Sequence, residues 1–255
     1  MAAVNETLAR RIEEAGLNNL HTRRQLFYDG WLLFLLGGKA KRARSVTAHF
    51  GSTLPLDAKI AHCERIYAAN GLPMLFRVTP FTMPADLDRV LAARGYVEFD
   101  ETLVQYASLA VAPAVADADC DLESPLPEAF VDAVGEMRGS PPFQRDAHLE
   151  RLAQSPLDIH AIVARRRGVP VAAGLVSLDG DLAGVFDVIT APALRGRGIG
   201  ASVVAALLAR AWTRGARHAF LQVTQANAPA LSLYRRCGFS TLYRYQYRAM
   251  PDACR

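Results

Sequence analysis

From about position 120 onward the apolar residues change period several times, and each change marks an element. Pro127 to Val134, preceded by Leu126, and Arg145 to Leu152 read as two short helices separated by the breaker Ser140-Pro141-Pro142. His160 to Arg165 and Val169 to Leu178 are near-continuous apolar strand runs joined by the basic turn Arg166-Arg167-Gly168. Asp179-Gly180-Asp181 is a strong hairpin turn, and Leu182 to Thr190 follows as a third strand. Ala201 to Thr213 has helical spacing, Ala219 to Val223 is a short strand, and Asn227 precedes a helix over Ala228 to Arg236, closed by Cys237-Gly238-Phe239. Helix, helix, three antiparallel strands, helix, strand, helix and final strands make an α+β order, not a regular βαβ array.

Arg195-Gly196-Arg197-Gly198-Ile199-Gly200 joins the third strand to the long helix. A glycine-rich turn entering a helix presents several N–H groups on one concave surface, at the positive end of the helix dipole. A pyrophosphate is its natural ligand. A P-loop needs Lys-Ser or Lys-Thr after the last glycine, and neither follows here. Gly196, Gly198 and Ala201 match the dinucleotide pattern G-x-G-x-x-A, which requires an acidic residue about 20 positions on. Position 221 is Leu, and no Asp or Glu occurs between Asp187 and Asp252, which weighs against a nicotinamide dinucleotide.

R-x-x-G-x-G over Arg195 to Gly200, with Y-x-x-x-G-F over Tyr234 to Phe239, resembles the GNAT acyltransferase superfamily, and the ordered set spans Val185 to Phe239. The resemblance implies the GNAT fold, a mixed, mostly antiparallel sheet flanked by helices, with acetyl-CoA as co-substrate and no metal. It implies that Arg195, Gly196, Arg197, Gly198, Ile199 and Gly200 hold the pyrophosphate. By the same resemblance Val188, Ile189 and Thr190 pair with the pantetheine arm, Asn227 contacts that arm, and the Tyr234 hydroxyl protonates the leaving thiolate. Taken as local signals, Asn227 reads equally as a helix cap and Tyr234 as a tyrosine packed on the sheet. A base must take the proton of an amine whose pKa is ordinarily about 10.4. Asp187 is the first candidate: strand alternation puts it with Val185 and Ile189, and Phe186 with Val188 and Thr190. It reads equally as a structural acid bonded to a neighbouring arginine. Glu136, in a loop region over Gly135 to Phe143, and a water chain are the alternatives.

The 255 residues, 51% of them hydrophobic, suffice for one large domain or two ordinary ones. Cys63, Cys120, Cys237 and Cys254 lie far apart and form no C-x-x-C pair, so a reduced, cytoplasmic protein is expected. Met1 to Glu6 has no secretory pattern, and Trp31 to Leu36 is far shorter than the roughly 20 residues of a membrane span. The formal net charge of +4 raises nucleic acid as a partner, but no zinc spacing, RNA-binding aromatic motif or helix-turn-helix accompanies it. Between Asp187 and Asp252 every cation is an arginine, which suits phosphates. Arg195 and Arg197 are expected near the ligand, and Arg210, Arg214 and Arg217 solvated. The acceptor, a small-molecule or peptide amine, is not specified, and a homodimer is left open.

An earlier stretch repeats this order. Arg44 to Ala48, a helix over Leu56 to Ala69, Leu75 to Thr79, a helix over Ala85 to Ala93 and Gly95-Tyr96 parallel the later elements. Thr47 and Thr190, like Gly95 and Gly238, stand 143 positions apart and Thr79 and Thr224 stand 145 apart, an almost fixed offset such as an internal repeat gives. The earlier copy has His49-Phe50-Gly51-Ser52-Thr53-Leu54-Pro55 at the place of the glycine turn, and Leu91 opposite Tyr234. A degenerate GNAT-like lobe over 1–112, a linker over 113–119 and a catalytic domain over 120–255 are expected. The basic run Lys39, Lys41, Arg42 and Arg44 reads as solvated strand edge or turn. A non-catalytic acyl-CoA sensor or scaffold is the alternative function.

Overall fold

The computed structural model describes residues 6–20, 22, 24–37, 40–114 and 120–254. Helix α1 (Glu6–Asn18) precedes the hairpin strands β1 (Gln25–Tyr28) and β2 (Trp31–Phe34). β3 (Val46–Thr47), α2 (Leu56–Ala69), β4 (Leu75–Val78), α3 (Leu87–Ala93) and β5 (Val97–Ser108) follow. The later part contains β6 (Asp121–Glu123), α4 (Pro127–Arg138), α5 (Pro142–Ala153), β7 (Asp158–Arg166), β8 (Val169–Asp179) and β9 (Leu182–Thr190). It ends with α6 (Ile199–Thr213), β10 (His218–Thr224), α7 (Ala228–Arg236) and β11 (Ser240–Ala249).

Two compact units form, and neither is one continuous stretch. The C-terminal unit holds α1 with Val104–Val223 and Asn227–Leu242; the N-terminal unit holds Thr22–Leu103, Thr224–Ala226 and Tyr243–Arg255. This differs from a linear division at 113–119, of which 115–119 lie outside the described residues. The reason is strand completion. β5 lies beside β10 and β11 pairs antiparallel with β4, so each unit's sheet is finished by the strand that follows the other half in sequence.

In the C-terminal unit β6, β7, β8 and β9 pair antiparallel in chain order, and β9 pairs parallel with β10. α4 seals one face of this sheet: Phe130, Val131 and Val134 pack on Val163, Ala173 and Leu175, with Phe186 and Ile189 at the margin. α6 covers the other face. A Cβ placed on Gly174 would lie 3.0 Å from Leu207 and 3.3 Å from Val188, so glycine there lets the helix sit close. In the N-terminal unit Trp31, Leu33, Val46 and Phe76 pack against Ile60, Tyr67, Leu87 and Leu91 of α2 and α3. The element order recurs between the units: Leu56 and Ile199, Leu75 and His218, and Val97 and Ser240 are element starts 143 positions apart. β3–β4 and β9–β10 are both parallel pairs.

Two local expectations are corrected. Lys41–Arg44 is a short 3₁₀ turn, and only Val46–Thr47 of the expected strand is extended. It is not simply solvated, because Lys41 bonds Asp100 at 2.8 Å and Arg42 Nη1 and Arg44 Nε are buried; Lys39 lies outside the described residues. Strict alternation along β9 also fails. Leu175 faces Phe186 but Ala173 faces Ile189, so Asp187 and Val188 together oppose Gly174 in a β-bulge. Asp187 takes φ 52°, and Phe186, not Val185, joins Ile189 on the α4 face, while Val188 turns to α6.

Candidate active site

The turn before α6 has the backbone its glycines permit. Gly196 and Gly198 take φ 78° and 82°, a region costly for residues with a Cβ, and a Cβ on either would meet nothing within 4 Å. Gly198 is the N-cap of α6 and supplies no side-chain cap. Among the described residues the amides of Gly196 to Gly200 donate to no protein acceptor. Gly200 is a glycine for another reason: a Cβ there would lie 2.8 Å from Thr190 Oγ1 and 2.9 Å from Leu233 Cδ1. Its absence lets β9, α6 and α7 converge.

β9 and β10 pair only over Leu182–Gly184 and His218–Phe220, and beyond this they splay. A cavity of about 480 Å³ lies elsewhere, in the N-terminal unit, lined by Glu64, Met74, Tyr96 and Met250, with no glycine turn. The cavity at the splay is about 460 Å³. It is lined by the edge residues Val188, Ile189 and Thr190, by Arg195, Gly196, Gly198, Ile199 and Gly200 of the turn, and by Asn227 and Tyr234. The structure thus brings together every sequence-predicted residue except Arg197 and Asp187. Arg197 is exposed and does not line the cavity. Arg195 Nε donates to Thr190 O at 3.3 Å, tying the turn to β9.

Asn227 caps α7: its Oδ1 accepts from Ala230 N at 3.2 Å. It lines the cavity as well, so the cap and a ligand contact are compatible. Tyr234 stacks edge-on against Phe239, with ring centroids 6.0 Å apart. Burial, with Cys237 adding, pushes its phenol up to about 12, so it is a neutral O–H donor near neutral pH. Arg236 and Ser232 line the same cavity and carry no motif letter; they stand two positions either side of Tyr234, so helical spacing from the tyrosine does not mark them.

Asp187 faces away from this cavity, into a cationic cluster. Arg138 donates to Oδ1 at 3.1 Å, Arg151 donates to Oδ2 at 3.5 Å, and His148 Nε2 lies 3.0 Å from Oδ2. Burial opposes ionisation, but His148, Arg138 and Arg151 outweigh it and hold the carboxyl well below the usual carboxylate range. A carboxylate so held is a poor proton acceptor, and the geometry is that of the structural acid. Glu136 is an exposed residue of α4, which continues through Arg138 and stops at Gly139 with φ 65°, so the expected loop is shortened to residues 139–141 and Glu136 is helical. Arg214 and Arg217 are exposed, as expected, Arg217 bonding the Ala216 carbonyl at 2.7 Å, whereas Arg210 is half-buried and bonds Ser124 at 3.1 Å.

Residues 126–239 match the acetyltransferase (GNAT) family profile. The uncharacterized N-acetyltransferase YobR of Bacillus subtilis is 27% identical over 225 residues, 86% of this chain and 89% of that protein. Streptothricin acetyltransferase of Streptomyces lavendulae is 40% identical over 79 residues, 26% of this chain and 42% of that protein. A GCN5-related N-acetyltransferase from Kribbella flavida superposes with TM-score 0.72 at 19% identity, covering 96% of each chain. No helix among the described residues is long and apolar enough to cross a membrane. A splayed parallel pair, a bare glycine turn and a half-buried tyrosine thus meet in one cavity, within the segment 126–239 that is similar to the acetyltransferase (GNAT) family.

Proposed function

We propose that the C-terminal unit transfers an acetyl group from acetyl-CoA, the co-substrate the family generally uses, to a primary amine. The carrying observation is the cavity in which the unpartnered amides of Gly196 to Gly200, the free edge of β9 and the Tyr234 hydroxyl converge. The glycine amides and the Arg195 guanidinium would hold the diphosphate, and the open space over Gly196 and Gly198 suits its close approach. Backbone N–H and C=O groups of Val188 to Thr190 would pair with the pantetheine arm, and one N–H would stabilise charge developing on the thioester oxygen. Tyr234 would donate to the thiolate as the C–S bond breaks. Full transfer from a phenol near 12 to an ordinary thiolate near about 8.5 is uphill, so the hydrogen bond carries most of its effect.

None of the cavity's lining residues is Asp or Glu, and Asp187 is engaged elsewhere, so the amine proton leaves through water. The matching order of elements at a 143-residue offset supports descent from a duplicated unit, with the N-terminal copy degenerate. The acceptor is a small-molecule or peptide amine, and the streptothricin relative makes that antibiotic one candidate. The test is release of free CoA from acetyl-CoA with an amine panel that includes streptothricin, alongside calorimetric binding of CoA. Turnover with one amine is the expected outcome. Absence of CoA binding would overturn the proposal.

A further inference from the structure

The loop 49–55 enters α2 as 195–200 enters α6, and at the 143-residue offset Thr53 and Leu54 stand where Gly196 and Arg197 stand. Here the amides are taken. Asp29, at the tip of the β1–β2 hairpin, accepts from Thr53 N at 3.0 Å with each carboxylate oxygen, from Leu54 N at 2.9 Å and from Thr53 Oγ1 at 2.8 Å. Lys59 Nζ lies 3.2 Å from Oδ2, donates to the Asp29 carbonyl at 2.5 Å and bonds Ser52 Oγ. The Lys59 side chain is 0% exposed and stands 4.0 Å over the Trp31 ring.

The hairpin tip is built to press on this loop. Asp29 takes φ 42° and Gly30 φ 84°, and a Cβ on Gly30 would lie 2.2 Å from the Gly51 carbonyl oxygen. Gly30 O accepts from Phe50 N at 3.0 Å. A carboxylate offers about four acceptor positions, and two amides, a hydroxyl and an ammonium use them here. Lys59 balances its one charge. The turn at 195–200 has no such occupant, and no Asp or Glu lies between Asp187 and Asp252 to provide one.

We infer that the loop 49–55 is an anion-binding loop whose resident ligand is the chain's own Asp29 carboxylate, so that the chain takes a diphosphate-bearing donor at the 195–200 turn alone. The second clause rests on the function proposed above. An external phosphate would have to displace a tethered group present at an effective concentration of order millimolar or higher, and would leave that group without its donors.

Amide hydrogen exchange on the full-length protein reads both loops at once, with CoA and inorganic pyrophosphate as probes. In the unaltered protein Thr53 and Leu54 should exchange slowly with or without either probe, CoA should slow Gly196 to Gly200, and calorimetry should give one CoA per chain. In Asp29→Ala the Thr53 and Leu54 amides should exchange about ten-fold faster, having lost a charged acceptor, and pyrophosphate should slow them again. New protection of these two amides by either probe in the unaltered protein, two CoA per chain, or unchanged exchange in Asp29→Ala overturns the inference. If CoA leaves Gly196 to Gly200 unprotected, the functional reading fails, while the response of Thr53 and Leu54 to pyrophosphate still decides this one. Where Asp29→Ala does not fold, Asp29→Asn, which keeps an acceptor oxygen and removes the charge, should show a smaller speed-up; none would overturn it.

Discussion

Tyr234 and Asp187 both ionise, and their surroundings drive them apart. The phenol is pushed up to about 12 by burial, so its proton is in place at every ordinary working pH. Tyr234→Phe keeps the ring against Phe239 and removes only the donor. It should lower kcat about 100-fold with CoA affinity unchanged, and wild-type kcat should show no alkaline loss from this group until pH nears 12. CoA release measured across pH checks both. Asp187 is held below its unfolded pKa, so its stabilisation is present above about pH 3.9 and is lost as pH falls through the folded value. Asp187→Asn should cost about 2 kcal/mol at pH 7 in urea unfolding, and the gap from wild type should close in acid. The shape of the pH–rate profile should not change; loss of its ascending limb would make Asp187 the base after all.

At the scale of elements, the proposed donor site depends on how closely β9, α6 and α7 approach. Gly196 and Gly198 serve the turn through their positive φ, whereas Gly200 serves packing. Gly200→Ala would drive a methyl into Thr190 and Leu233, which differs from an ordinary helix substitution, where Ala is the better former. It should destabilise by about 1–3 kcal/mol and weaken CoA binding through displacement of the helix start, as melting and calorimetry would report. The bulge at Asp187 works on the same strand. It reverses the alternation after Phe186 and so decides which side chains of β9 face α6. Two-residue periodicity cannot anticipate this, because an extra residue leaves no mark in the hydrophobic pattern.

For the whole molecule, the unit boundaries run against the chain. The C-terminal unit needs α1 and the end of β5, and the N-terminal unit needs β11. A protease site placed at 113–119 should therefore leave both fragments folded together after cleavage, and residues 120–255 expressed alone should be insoluble or unfolded; a monomeric, cooperatively melting 120–255 fragment would refute this. Most elements from Leu56 onward, β5 excepted, the glycine turn and part of the cavity lining were legible in the sequence. Each is a local signal, a period, a cap or a positive-φ glycine within a few residues. α1 was not read although it is amphipathic: its buried face is Ala9, Ile12, Glu13, Ala15 and Gly16, with one large apolar residue and one acid among them. The four-residue strands β1 and β2 and the three-residue β6 are too short for a period to register. The sequence by itself determined the fold class and the glycine turn with its positive-φ backbone. Only the tertiary structure decided that Asp187 is tied to Arg138 and Arg151, that Asp29 fills the earlier loop, and that the two last strands complete each other's units. These are pairings between residues 24 to 174 positions apart, and spacing along a chain carries no information about which distant partner burial will select.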